Sequence, residues 1–316
     1  MPKLEGIEEK YIHDVRVDKE NDDVFFNDET HTYYNKDTME KYISVTSLIH
    51  LYSNEFDEEF WSAYKALEEL MDMDLFLIVK KSLLATKKFN PKLLKKLNID
   101  ENLFLEKQNA IKEEYNRKRI ESCERGTKIH AAFENSMYNK KHFDFEKFGY
   151  KDLSGDYECV KDYYKLDLKK GVYPEFLISL RSRDGVLGVA GQIDLLIIDG
   201  DDVVIVDYKT NKEIKKQRYY NRSKKSYEMM KFPLNNLQDF TFNHYQLQLS
   251  LYMYLLQQIN PNYKCKSLRL IHIDHDGVQH EYDCEYLKSD VERMLKHYKK
   301  RLKVESEYNN LKPVVS

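Results

Sequence analysis

Asp194, Asp207 and Lys209 flank a turn in a stretch whose neighbours are too apolar for ordinary surface. It reads Gly191-Gln192-Ile193-Asp194-Leu195-Leu196-Ile197-Ile198, then Asp199-Gly200-Asp201-Asp202, then Val203-Val204-Ile205-Val206-Asp207-Tyr208-Lys209. Two β-branched apolar runs around a Gly/Asp turn predict a β-hairpin. A turn centred between Gly200 and Asp201 pairs residues whose numbers sum to about 401, which sets Asp194 opposite Asp207. Opposed side chains share one face, with Cβ atoms about 4.5–5.5 Å apart. Lys209 joins that face through the period-2 alternation of a strand. Two like charges so placed destabilise a sheet, and a hard cation between them removes the conflict. Mg²⁺ and Mn²⁺ take oxygen ligands and keep positions for water and substrate phosphate. The plain alternative is a pair of strand-end acids facing water, with Lys209 as their ion-pair partner. The apolar runs beside them argue against a solvated edge.

The elements that must carry this hairpin can be read along the chain. Val24 to Val45 alternates aromatic and polar residues around two Asn/Asp turns, which predicts a small hairpin. Ser44-Val45-Thr46-Ser47 opens a helix with hydroxyl caps. Asp57–Met73 is an amphipathic helix holding the single tryptophan, Trp61, and Leu75–Leu97 forms one or two more, broken at Pro91. Glu101–Ser122 is helical, and Gly126 punctuates it before Thr127 caps a helix through Glu134. A helix over Tyr157–Leu168 leads to a strand over Glu175–Leu180 and then to the hairpin over 186–209. A long loop, 210–240, precedes a helix over Phe242–Gln258. Strands Leu268–Ile273 and Val278–Cys284 and a basic helix, Lys288–Val304, complete the order. The expected class is α/β: a mixed β-sheet core flanked by helices, with an N-terminal helical appendage. The expected division is 1–120, a hairpin and helical region able to serve as a lid or threading element, and 121–316, the core.

Composition narrows the setting. The 316 residues are 41% hydrophobic, enough for a sizeable core. No apolar run approaches the roughly 18 residues of a membrane span. The start is acidic and lacks an apolar h-region, so an intracellular, non-secreted protein with no membrane partner is expected. Cys123, Cys159, Cys265 and Cys284 form no CxxC pair, and reduced thiols are expected. The net charge of −3 hides an asymmetry: residues 1–75 carry 20 acids and 7 bases, the remainder 34 acids and 44 bases. The basic surplus is densest just after the hairpin, at Lys209, Lys212, Lys215, Lys216, Arg218, Arg222, Lys224, Lys225 and Lys231, with Tyr219, Tyr220 and Tyr227 interleaved. A charge run is commonly a solvated face. A basic segment with aromatics also suits a nucleic-acid backbone and its bases.

Further residues fall into a pattern with the hairpin. Gly126-Thr127-Lys128-Ile129-His130, Glu175, Gly191-Gln192-Ile193-Asp194, Asp207-Tyr208-Lys209 and Gln248-Leu249-Ser250-Leu251-Tyr252 occur in that order. Together they resemble the RecB-type branch of the PD-(D/E)XK nuclease superfamily over about 120–260, and the Ser44-Val45-Thr46-Ser47 entry is similar to phage and mitochondrial-genome-maintenance exonucleases of that branch. The resemblance implies a restriction-endonuclease-like core and a metal-dependent DNA exonuclease, acting on single-stranded or processed ends in replication, recombination or repair. It implies that Asp194, Asp207, the Tyr208 carbonyl and His130 ligate Mg²⁺ or Mn²⁺. Lys209 would orient the attacking water, Glu175 would hold a second metal or a metal-bound water, and Gln248 and Tyr252 would position DNA or the lysine. Several relatives carry four cysteines for an iron–sulfur cluster. Here the cysteines are scattered, and no cluster is expected. An endonuclease of the same fold, acting on DNA or RNA, and a non-catalytic nucleic-acid-binding module are the alternative readings.

Overall fold

The computed structural model describes residues 15–16, 24–27, 30–138, 143–144, 156–160, 167–216, 220–221 and 226–311. Its strands are β1 Val15–Arg16, β2 Val24–Asn27, β3 Thr32–Asn35, β4 Lys41–Ser44, β5 Phe143–Asp144, β6 Asp156–Tyr157, β7 Gly171–Ser182, β8 Gly188–Asp199, β9 Asp202–Lys209, β10 Tyr220–Asn221, β11 Ser226–Tyr227, β12 Lys264–Ile273 and β13 Gln279–Cys284. Its helices are α1 Val45–His50, α2 Glu58–Leu70, α3 Met73–Thr86, α4 Lys92–Lys96, α5 Glu101–Tyr138, α6 Thr241–Ile259 and α7 Lys288–Leu311. The chain divides into two compact units. Residues up to Asn54, Ile129–Tyr219 and Tyr227 onward form one, and Glu55–Lys128 with Tyr220–Ser226 the other.

The first unit is built on a mixed nine-stranded sheet, ordered β13-β12-β9-β8-β4-β3-β2, with β7 also on β8 and β1 on β7. The expected register holds: Asp199↔Asp202, Ile198↔Val203 and Leu195↔Val206 all obey the same sum. Gly200 takes a positive φ of 62° as the first of two loop residues, the arrangement glycine favours in a tight hairpin turn. β7 runs along β8 from Gly171↔Ile198 to Arg181↔Gly188. The opposite edge of β8 is shared. β9 pairs with Leu195–Asp199, while β4 pairs in parallel with Val189 and Ala190. Residues 191–194 therefore lie at a fork in the sheet, with Asp194 at its apex. Residues 24–44, read from sequence with the N-terminal helices, thus pair into the sheet of the core unit.

Alternation along the strands sorts their side chains into two apolar layers. Leu196, Ile198, Val203, Ile205, Leu268 and Leu270 pack with Leu48, Leu247, Leu251, Leu255, Val291 and Met294, residues of α1, α6 and α7. Leu195, Ile197, Val204, Val206, Ile271 and Ile273 form the other layer with Tyr157, and Ile129 and Phe133 of α5 pack against it. Ser44 caps α1 as expected, its Oγ accepting from the Ser47 N–H. In the second unit Phe60, Tyr64, Leu67, Phe76, Leu83, Leu94, Phe104 and Ile111 form a separate core. No helix among the described residues is long and apolar enough to cross a membrane.

Two local expectations are corrected. Gly126 does not end a helix and Thr127 does not cap one, because α5 runs unbroken through both. Thr127 Oγ1 instead donates back to the Cys123 carbonyl at 3.1 Å. A glycine in a helix costs only about 1 kcal/mol relative to alanine, and Ile129 and Phe133, packed on the sheet layer within the next two turns, hold the helix beyond it. The helix expected over Tyr157–Leu168 is also absent at its start. Tyr157 ends β6, and Cys159 bridges Val172 in parallel. Burial of Tyr157 in the sheet layer overrides local helix propensity there. Residues 161–166 lie outside the described residues.

Candidate metal centre

Asp194 is released from both of its strand neighbours. The ladder with β7 passes from Pro174↔Leu195 to Phe176↔Ile193 without pairing Glu175 to Asp194. Glu175 takes φ 47°, a left-handed conformation that a side chain with a Cβ adopts only at a cost of order 1–3 kcal/mol. The ladder with β9 stops at Leu195↔Val206, one pair short of Asp207. The Asp194 carboxylate takes up the slack and accepts from the Tyr208 N–H at 2.7 Å. The sheet is thus opened where β7, β8 and β9 bring Glu175, Asp194 and Asp207 together.

His130 closes this opening from α5. Its Nδ1 lies 3.5 Å from Asp194 Oδ1 and 3.9 Å from Glu175 Oε1. Its Nε2 lies 3.2 Å from the Tyr208 carbonyl oxygen. The helix is held there by Phe133, whose ring stacks on Tyr208 at 4.4 Å and 8°. Ligand atoms of His130, Glu175 and Asp194 all lie within 4.8 Å of one another. A cation with ligand distances of about 2.0–2.1 Å spans about 4.2 Å between opposite ligands, so a small contraction brings all three onto one ion. Two carboxylates and an imidazole are donors suited to Mn²⁺ or Mg²⁺. A proton on Nε2 donated to the Tyr208 carbonyl would leave Nδ1 as the ligand atom, oriented from behind.

The electrostatics fit the same reading. Burial, then the charge of Asp207, pushes the Asp194 carboxyl up to about 7. Burial works to lower the His130 pKa, but the Glu175, Asp194 and Asp207 carboxylates outweigh it and raise it to about 9. Negative charge is in excess where a cation would go.

Asp207 turns to a second group of residues. It is 1% exposed. Gln248 of α6 donates to its Oδ1 at 2.9 Å, and Lys209 Nζ stands 2.5 Å from Oδ2. Lys209 also lies 4.9 Å from the centroid of the Tyr245 ring. Tyr252 follows Gln248 by one turn, its hydroxyl 3.4 Å from Gln248 Nε2. It enters the fork against Gly191, where an added Cβ would sit 2.7 Å from Tyr252 Cε1 and 3.1 Å from Val45 Cγ2.

The fold therefore gathers His130, Glu175, Asp194, Asp207, Tyr208, Lys209, Gln248 and Tyr252. The two aspartates divide: Asp194 joins His130 and Glu175, while Asp207 joins Lys209 and Gln248. Lys212, Lys215 and Lys216 are exposed and stand outside this cluster. Lys215 pairs with Glu213 at 3.3 Å, and Lys216 lies over the Tyr282 and Phe242 rings. Arg218, Arg222, Lys224 and Lys225 lie outside the described residues. Three further residues reach the site. Tyr245 was legible as the residue one turn before Gln248. Glu134, one turn after His130, has its pKa raised by burial and then by the charge of Glu175. Tyr33, raised to about 12 by burial and then by Glu175 and Asp194, left no local signal. It arrives through the pairing of β4 with β8.

A search of curated proteins finds no match. A solved structure described as "Crystal structure of SSO0001" is similar at 16% identity and a TM-score of 0.25. The match covers 42% of this chain and 50% of that one, so the chain spans half the length of that protein. The family model of the PD-(D/E)XK nuclease superfamily matches residues 141–311, which hold Glu175, Asp194, Asp207, Lys209 and Gln248. That match extends over more than half of the chain, and the chain belongs to the PD-(D/E)XK nuclease superfamily.

Proposed function

We propose that this protein is a divalent-metal-dependent DNA exonuclease acting on single-stranded or processed ends in replication, recombination or repair. The observation that carries the reading is the convergence of His130, Glu175 and Asp194 within 4.8 Å beside the Asp207–Lys209 pair. His130, Glu175 and Asp194 would hold the ion, with Asp207 and the Tyr208 carbonyl beside them. A bound divalent cation lowers the pKa of water and neutralises charge developing on a phosphate. Lys209 supplies a fixed positive charge. Burial works to lower its pKa, but Asp207 and then Asp194 outweigh burial and raise it. A lysine held protonated cannot act as a base. It orients the incoming water by donating to it and stabilises negative charge at the phosphate. Gln248 keeps the Asp207 carboxylate turned toward that ammonium. The ends preference rests on the order of motifs shared with the exonuclease branch.

The deciding experiment compares linear and circular single-stranded DNA with Mg²⁺ or Mn²⁺. Loss of the linear strand with the circle intact is expected, and none in EDTA. Cleavage of the circle would make the protein an endonuclease. Asp194→Asn and Asp207→Asn should each abolish cleavage, while circular dichroism and thermal melting show an intact fold. Wild-type turnover in either variant would overturn the site assignment.

A further inference from the structure

Beside the first turn of α6 lies a cavity of about 420 Å³, within the range of about 300–1,000 Å³ usual for ligand sites. Lys216, Tyr227, Gln238, Phe240 and Asn243 line it, and no carboxylate among the described residues does. Asn236 also lines it but is spent, donating to Asp290 and accepting from Arg293. Asn243 donates to the Gln238 main-chain carbonyl at 2.8 Å. That bond fixes its amide plane and leaves Asn243 Oδ1 and the Gln238 carboxamide without a partner among the described residues. Tyr227 is 44% exposed. Lys216 is held in place, its ammonium 4.1 Å from the Tyr282 ring centroid and 5.5 Å from that of Phe242.

These groups match the parts of a nucleotide. Carboxamides present the donor–acceptor pair that complements a base edge. An aromatic ring stacks on a base face whatever the base. A lysine takes the neighbouring phosphate. A base whose face lies on an aromatic ring must be out of the duplex stack, because there both of its faces are already covered by neighbouring bases.

The cavity stands on the sheet face that carries Asp207: Leu270 of β12 pairs with Asp207 on one side and Tyr282 on the other, and the Lys216 ammonium lies over the Tyr282 ring. Asn243 and Gln248 are five residues apart on α6, about 7.5 Å along its axis and about 140° around it. The Cys284 thiol, pushed up by burial, is raised further by Asp207 and lowered by Lys216. One side chain thus feels both the catalytic carboxylate and the cavity's cation. A stacked strand rising about 3.4 Å per nucleotide covers the axial and lateral offset in a few steps.

We propose that this cavity is a nucleobase subsite. It seats one base of a single strand a few nucleotides from the phosphate being cut, with Asn243 and Gln238 at its edge, Tyr227 on its face and Lys216 at its phosphate. The identity of the strand rests on the nuclease reading above.

An abasic walk tests it. End-labelled single strands, each lacking one base at a known position, are digested by the full chain with Mn²⁺ and resolved as ladders. The wild-type protein should pause at one fixed distance from every abasic position, with that bond cut about 10-fold more slowly, the size expected for one lost stacking contact. Tyr227→Ala should cut the intact strand more slowly and lose the pause, while Tyr227→Phe keeps it. A ladder without a fixed-distance pause, or a pause that survives in Tyr227→Ala, overturns the subsite. Absence of cleavage in every strand overturns the nuclease reading instead. Binding in EDTA then decides the subsite alone. Wild type should bind the intact strand about 10-fold tighter than an all-abasic strand of equal length, and Tyr227→Ala should bind the two alike. Equal wild-type affinities, or a preference that Tyr227→Ala retains, would reject it.

Discussion

At Lys209 burial and charge pull in opposite directions, and charge wins. The residue acts as a positive charge, so Lys209→Ala should lower turnover by about 10²–10⁴-fold, the range of positioning and proton-handling groups. Binding of Mn²⁺ and of DNA should change little. If Lys209 only neutralised Asp207, the variant would be less stable without metal and nearly fully active with it. Single-turnover cleavage beside metal titration calorimetry separates the two. His130 and Asp194 give a second prediction, through pH. Both hold protons that a cation must displace, one with a pKa of about 9 and the other about 7. Metal affinity should therefore climb between pH 6 and pH 9, with protons released on binding. Calorimetry in two buffers of different ionisation enthalpy measures that release. The sign for stability is the reverse in the metal-free protein. A carboxyl raised above its unfolded value loses its contribution as pH rises toward about 7. A raised histidine keeps its contribution below its unfolded value and loses it as pH rises through about 9. The melting temperature in EDTA should fall over that window, and Mn²⁺ should restore it. A flat profile would show that neither group is perturbed.

At the scale of elements, the fork in β8 decides the geometry. β9 and β4 share one edge of that strand, and Gly191 sits between them where Tyr252 comes closest. Gly191→Ala would place a methyl group 2.7 Å from the Tyr252 ring and 3.1 Å from Val45. Such overpacking costs about 1–3 kcal/mol. Tyr252 should move, taking the Gln248 contact with Asp207 with it. The expected result is a lower melting temperature and a loss of turnover larger than the loss of metal affinity. An alanine variant with wild-type stability and turnover would show that Tyr252 has room. The second apolar layer serves the site differently. Phe133 stacked on Tyr208 sets the height of α5 and hence the reach of His130 to Asp194.

At the scale of the whole molecule, charge is divided along the chain, acidic up to residue 75 and basic beyond it. Lys212, Lys215 and Lys216 stand exposed just past the metal centre. If they contact phosphates, replacing all three by alanine should weaken single-strand binding and flatten its salt dependence. Each lost contact lowers the log–log slope by about 0.7 on a single strand, so a change of about 2 is expected. Anisotropy titrations across a salt series measure it. An unchanged slope would mark these lysines as a solvated face, which the Lys215–Glu213 pair already favours for one of them.

Local rules determined a good deal. The alternation of Ile and Val around Asp199-Gly200-Asp201-Asp202 set the hairpin, its register and the common face of Asp207 and Lys209, because strand period and turn length leave little choice. The i, i+4 spacing of Gln248 and Tyr252 put both on one helix face. Tertiary structure decided the rest. That Asp194 leaves Asp207 for His130 and Glu175 depends on where β7 distorts and β9 stops, and no local pattern records that. The arrival of Tyr33 depends on β4 pairing with β8 across about 150 residues of chain. The unbroken α5 depends on packing that outweighs one glycine, and the strand at Tyr157 on burial that outweighs helix propensity. In each case a contact distant in sequence contributed more free energy than the local preference it overrode.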